Sequence, residues 1–129
     1  MLGESTVRPV PRSDGTTDFY VASDSFHDVF CQDVSAAQAA LLSATQRPAT
    51  QEALVEPSGE RPLWRDVPCW FMIGDEDRII PPALQRYMAE RAGARSTVEI
   101  AGASHAAPVS QPGAVTELIL EAAEARVAA

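Results

Sequence analysis

No stretch of this sequence approaches the roughly 20 consecutive apolar residues that a membrane-spanning helix needs, so a helical membrane protein is not expected. Basic clusters are missing as well. The ten basic residues stand singly among 18 acidic ones, for a net charge of −8, which argues against nucleic acid or an anionic membrane surface as a partner. Cysteine is scarce: Cys31 and Cys69 fit no metal spacing, and both fall in segments that read as buried, so both are expected to be core thiols. The opening residues, MLGESTVRPVPR, lack the basic start and apolar run of a secretion signal, and the expected location is cytoplasmic. What remains is 129 residues, 46% hydrophobic and 22% charged, the size and make-up of one soluble globular domain.

The chain changes character near residue 57. Upstream, residues 1–18 carry Pro9, Pro11, "SDG" and paired threonines, and read as loop with a hairpin at Asp14-Gly15. "DSFHDVF" reads as a short helix. Ser35 followed by Gln38 has the spacing of a capping box, and Ala37, Ala40, Leu41 and Ala44 behind it recur at helical spacing until Pro48. Another short helix is expected over 50–55, and "EPSGERP" is a linker.

Downstream the pattern tightens. "VPCWFMI" is a continuous apolar run, as expected of a strand buried on both faces. "PPALQRYMAERAG" opens on proline and closes on glycine, as helices do, with Leu84, Tyr87, Met88 and Ala92 as its apolar stripe. "STVEI" is a second short strand, and residues 111–128 form a final helix with Val115, Leu118, Ile119 and Ala122 on one face. Its acidic side reads as solvated, and Trp64 and Trp70 read as packing residues. Strand, helix, strand, helix predicts a parallel crossover with helices lying on the sheet.

Sites in open parallel sheets form beyond the carboxyl ends of the strands. There this chain carries "GDEDRIIPP" after its first apolar strand and "AGASHAAP" after its second. If the strands are neighbours, a carboxylate four residues past Ile73 and an imidazole five past Ile100 can meet. A carboxylate that holds a histidine tautomer is the acid–base half of a nucleophilic triad. A lone loop histidine is otherwise satisfied by backbone groups, and Asp75 competes with Asp77, although a turn role bonding its own backbone would explain Asp75. Glu76 reads as solvated, and Arg78 as a surface partner for one of these carboxylates.

"WFMIGDEDRIIPP" followed by "VEIAGASHAAPVSQPGAVTELI" resembles the C-terminal part of an α/β-hydrolase. In that family, G-x-x-D-x-x-x-P carries the triad acid and G-x-x-H the triad histidine, with a proline opening the last helix. The matching positions are Gly74, Asp77 and Pro81, then Gly102, His105 and Pro112. "GES" at residues 3–5 is similar to a segment after the sixth strand in methylesterase-like and hydroxynitrile-lyase-like members. The resemblance implies a partial α/β-hydrolase fold: residues 1–56 as a loop plus helical cap, then residues 57–129 as a β-α-β-α part with a parallel strand pair. It also implies a pocket under the cap, with His27, Phe26 and Phe30 as candidate substrate contacts. The residues alone read as a partly exposed helix histidine and cap core.

The nucleophile departs from the family pattern. No G-x-S-x-G occurs, and the nearest imitation, Gly3 to Val7 around Ser5, lacks the last glycine and runs into Pro9 and Pro11. Ser5 is therefore rejected as the nucleophile. The resemblance implies hydrolysis of a small ester or acyl substrate with Asp77 orienting His105, no metal and no organic cofactor, and a serine supplied from elsewhere. Lyase or dehalogenase chemistry stays open, because a fold does not fix a reaction. From a different class, the chain is a non-catalytic remnant that binds a small ligand or a protein. A two-stranded parallel sheet with an apolar edge also predicts a complementing chain or a homodimer through that edge.

Overall fold

Pro9 and Pro11 cannot donate to a ladder, so the strand that holds them lies at the edge of its sheet. The computed structural model, which describes residues 6–127, places β1 (Val7–Pro11) there, antiparallel to β2 (Thr17–Val21), with β3 (Ala49–Thr50) on the far side of β2. The Gly3-Glu4-Ser5 segment lies outside the described residues. Gly15, at φ +86°, turns the hairpin. Asp14 Oδ1 accepts the Thr16 hydroxyl and backbone N–H at 2.6 and 3.0 Å, which together hold the Asp14 carboxyl below its ordinary pKa. The hairpin at Asp14-Gly15 is as expected. The rest of the sheet is not, because Asp18 interrupts the apolar alternation of β2. Asp18 is buried at 7% exposure and pairs with Arg12.

Helices α1 (Phe26–Phe30), α2 (Ala36–Thr45) and α3 (Gln51–Val55) follow the expected pattern. Ser35 caps α2 by accepting the Gln38 N–H at 3.2 Å, and Thr50 caps α3 in the same way. Gln46 clasps both backbone groups of Val21 at 3.0 Å, which pins the end of α2 to β2. The buried face of α2 is not the expected one. Ala39 is buried, with Leu42 packed beside it, while Ala37, Ala40, Leu41 and Ala44 are exposed. An alanine-rich helix has no strongly apolar side, so its neighbours choose the face: Phe26, Cys31 and Ala106 form the cluster into which Ala39 fits.

After a 3₁₀ turn at Leu63–Arg65, β4 (Trp70–Gly74) pairs in parallel with β5 (Ser96–Ile100), from Trp70↔Ser96 to Gly74↔Ile100. The strand pair is the expected one, but β4 is not buried on both faces: Ile73 and Gly74 are buried, and Trp70, Phe71 and Met72 only half-buried. Val67 lies outside the strand and is exposed, and Cys69 is half-buried, whereas Cys31 is fully buried. Burial, aided by the Asp33 charge, raises the Cys31 thiol pKa.

Helix α4 (Pro82–Arg91) turns inward through Pro82, Gln85, Ala89 and Ala92, leaving the expected stripe of Leu84, Tyr87 and Met88 exposed. A short helix α5 (Ala107–Ser110) occupies what reads as loop, and α6 (Pro112–Val127) closes the described chain. Val115, Leu118 and Ala122 face inward as expected, but Ile119 is 61% exposed. Among the described residues no helix is long and apolar enough to cross a membrane.

Candidate active site

Parallel pairing brings the ends of β4 and β5 together, and the loops that leave them are sewn to each other. Asp75 N–H donates to Ile100 O at 3.2 Å, and Glu76 N–H to Ala103 O at 3.1 Å. Asp75 Oδ1 accepts the Gly102 N–H at 2.6 Å, so this carboxylate serves the neighbouring loop rather than its own turn. Two glycines make the approach feasible. A Cβ on Gly74 would lie 2.5 Å from Ala103 O and 2.7 Å from Ser104 O, and Gly102 adopts φ +74°, a region that side chains disfavour.

Asp77 lies in the cleft this creates, with a side chain only 6% exposed. Its Oδ1 accepts the N–H groups of Ile79 and Ile80 at 2.8 and 2.9 Å. Oδ2 accepts Gln85 Nε2 at 2.8 Å and His105 Nδ1 at 2.8 Å. Those contacts fix the carboxylate plane, and an ionised carboxylate only accepts, so His105 presents its Nδ1–H to Asp77. The other ring nitrogen, Nε2, has no hydrogen-bond partner among the described residues, and the ring is 28% exposed. Such an imidazole has a free lone pair for a proton, held in one tautomer by a buried acid.

The other expected site residues divide. Phe30 touches His105 edge-on, with ring centroids 4.8 Å apart. Phe26 stacks behind Phe30 at 4.9 Å and is buried at 2%. With Phe19, Val21 and Leu42 these two rings line a recess of about 340 Å³. His27 is not brought to His105: its Nε2–H donates to Val34 O at 3.0 Å, holding the turn after α1. Arg78 does not pair within its own loop either. It reaches Asp28 at 2.6 Å and the Asp28 carbonyl at 2.9 Å. Glu76 is exposed, and its carbonyl accepts Gln32 Nε2 at 2.7 Å.

Sequence reasoning missed two residues here. Ser104 lies in Gly102-Ala103-Ser104-His105-Ala106, a closer imitation of the nucleophile pentapeptide than the one around Ser5. It is only 1% exposed, and its Oγ accepts the Ala106 N–H at 3.0 Å, so it supports the loop. Asp33 is the other, accepting the Ser104 N–H on Oδ2 at 2.9 Å from 71 residues away. Burial works to raise the Asp33 pKa, but the Ser104 and Ser110 hydroxyls and the Ser104 N–H outweigh it, and the net shift is downward. Among the described residues no group of three or more His, Cys, Asp or Glu side chains is placed to hold a metal ion.

This arrangement, an acid loop and a histidine loop at the carboxyl ends of adjacent parallel strands, defines a class. The sequence profile of the Alpha/beta hydrolase family matches residues 3–118, and the chain belongs to that family. Among solved structures it is similar to polyneuridine aldehyde esterase at 20% identity and a TM-score of 0.73. A histidine-to-alanine mutant of the same esterase gives 20% identity and 0.71. In both comparisons 92% of this chain is covered but only 48% of the other, so the chain spans about half the length of these relatives. No curated protein matches it by sequence.

Proposed function

We propose that the chain supplies the acid and the base for serine-esterase-like hydrolysis of a small ester or acyl substrate. The observation that carries this reading is the His105 Nδ1 to Asp77 Oδ2 contact at 2.8 Å, with Nε2 left unpartnered and partly open to solvent. His105 Nε2 takes the proton of a serine hydroxyl as its oxygen attacks the substrate carbonyl. The same proton passes to the leaving alkoxide, an acyl-enzyme forms, and water, deprotonated by His105, releases the acid. Asp77 stays ionised and stabilises the imidazolium. The recess beside Phe26 and Phe30 suits the apolar part of a small substrate.

The serine comes from outside these 129 residues, since the sequence contains no G-x-S-x-G. A complementing chain or a second copy is expected along β4, whose second edge is unpaired among the described residues. That open edge also supports the second reading, in which the chain binds a partner or ligand and catalyses nothing.

The test is turnover of a short-chain p-nitrophenyl ester by the chain beside a His105→Ala variant at equal concentration. Each is then co-expressed with a polypeptide carrying a strand–G-x-S-x-G–helix segment. Alone, both are expected to be inert, because loss of the nucleophile from such a triad costs on the order of 10⁶ in kcat. Together with the segment, only the chain that retains His105 is expected to turn over. Turnover by the chain alone that disappears in the variant would place a nucleophile within it, and silence in every arm would favour the binding module.

A further inference from the structure

His105 is held from both sides by the segment that runs from α1 into the turn before α2. On one flank, Asp33 Oδ2 accepts the Ser104 N–H at 2.9 Å. On the other, Phe30 O accepts the Ala106 N–H at 3.1 Å, and the Phe30 ring lies against the imidazole itself. The same segment grips the acid loop, through Gln32 to Glu76 O and through Asp28 to Arg78. Four residues of one segment, Asp28, Phe30, Gln32 and Asp33, thus reach both loops that bear the acid–base pair.

Asp33 is the most exacting of the four. Its Oδ1 is shielded from solvent and makes no well-formed hydrogen bond, although the Ser104 and Ser110 hydroxyls face the carboxylate. Burying a carboxylate oxygen short of partners is unfavourable, yet the groups that donate to Asp33 outweigh that cost and keep it ionised in the fold. What the charge supplies is a strong, directional hold on one backbone N–H, that of the residue directly before His105.

We propose that Asp33 is a positioning residue for His105: its charged clamp on Ser104, opposite the Phe30 clamp on Ala106, sets the direction in which the imidazole meets Asp77. The inference rests on the reading of Asp77 and His105 as an acid–base pair. It adds that the segment covering the site and the orientation of the base are coupled, so that displacing this segment, as a substrate or partner entering beneath it would, releases the histidine.

The test uses the 129-residue chain with ¹⁵N-labelled histidine, comparing the wild type with Asp33→Ala, Asp33→Asn and Asp77→Asn. In Asp33→Ala the Ser104 N–H is expected to exchange about tenfold faster, the order set by losing one hydrogen bond to a charged group, while the amides of α4 keep their rates. The His105 Nδ1–H signal is expected to broaden although Asp77 is intact, and Asp33→Asn, which keeps an acceptor oxygen, to restore part of both. Unchanged Ser104 exchange and an unchanged ring signal in Asp33→Ala would overturn the inference. Should that variant not fold, Asp33→Asn decides by the same comparison with the wild type. Asp77→Asn reports on the pair separately: it should abolish the Nδ1–H signal and leave Ser104 exchange alone. If it leaves the ring signal unchanged, the pairing fails rather than the clamp. If it speeds Ser104 exchange as much as Asp33→Ala does, the clamp has no role of its own.

Discussion

The two sides of the β4–β5 pair are built on different terms. At the carboxyl ends of the strands, polar groups find partners inside the chain: Asp75 on Gly102, Asp77 on Ile79, Ile80, Gln85 and His105, and Asp33 on Ser104. Across the outer surfaces of α4 and α6 the opposite holds. Leu84, Tyr87, Met88, Ile119 and Leu120 stand 41–61% exposed, and an apolar cleft of about 160 Å³ opens between Trp64, Phe71 and Met88. Arg91 lies 4.7 Å from the Trp64 ring at that cleft. Scattered exposed apolar residues are ordinary, but a run of them along two helices marks a surface that expects cover. The loops of the site are densely hydrogen-bonded while the core around them is thin, and the geometry of Asp77 and His105 is therefore set by polar stitching more than by apolar packing.

That contrast is sharpest at Ile73, the largest fully buried side chain among the described residues and an apolar anchor at the end of the strand that leads into the acid loop. Ile73→Ala is expected to cost about 2–5 kcal/mol in chemical denaturation. A smaller loss would mean that the loops hold the strand rather than the reverse. Next comes Gly74→Ala, whose Cβ meets backbone oxygens of the histidine loop and is expected to cost about 1–3 kcal/mol as an overpacking change. It should also loosen the His105–Asp77 contact. Gly113→Ala is the matching control: nothing lies within 4 Å of its added Cβ, and within a helix the change is expected to stabilise by about 0.5–1 kcal/mol. Thermal melts of the two variants should therefore move in opposite directions.

Asp33 gives a smaller, pH-dependent effect. Its folded pKa lies below the unfolded value, so its contribution is complete above the unfolded pKa of about 3.9. The contribution is lost as pH falls through the folded value, because the unfolded chain then binds the proton more readily. Stability measured between about pH 5 and pH 3 should therefore decline less in Asp33→Asn than in the wild type. The smallest effect belongs to the uncovered side: serine at Tyr87 or Met88 is expected to change stability by within about 0.5 kcal/mol. A large loss there would show that this surface is packed after all.

The same division explains what could be read beforehand. Asp77 and His105 lie at short, fixed offsets from two strand ends, so their meeting follows from strand order and register alone; β4 was visible as an apolar run and β5 as the short STVEI strand. The faces of α2 and α4 were not legible, although that of α6 largely was. Leu41 and Tyr87 suggested inward stripes for α2 and α4, yet Ala39 and Ala89 are the buried residues, because short alanine faces let helices approach closely and nothing covers the bulkier side. Strand β2 was hidden by its buried Asp18. Asp33 was invisible for another reason: its partner is 71 positions away, and neither a helix nor a strand period links the two.

The central claim, that Asp77 holds His105 as a base with Nε2 free, is tested most directly by the ¹⁵N spectrum of the His105 ring at neutral pH. The account predicts one dominant tautomer with the proton on Nδ1, protected from exchange in the wild type and lost in Asp77→Asn. A wild-type ring carrying its proton on Nε2, or a ring whose spectrum ignores Asp77, would contradict it.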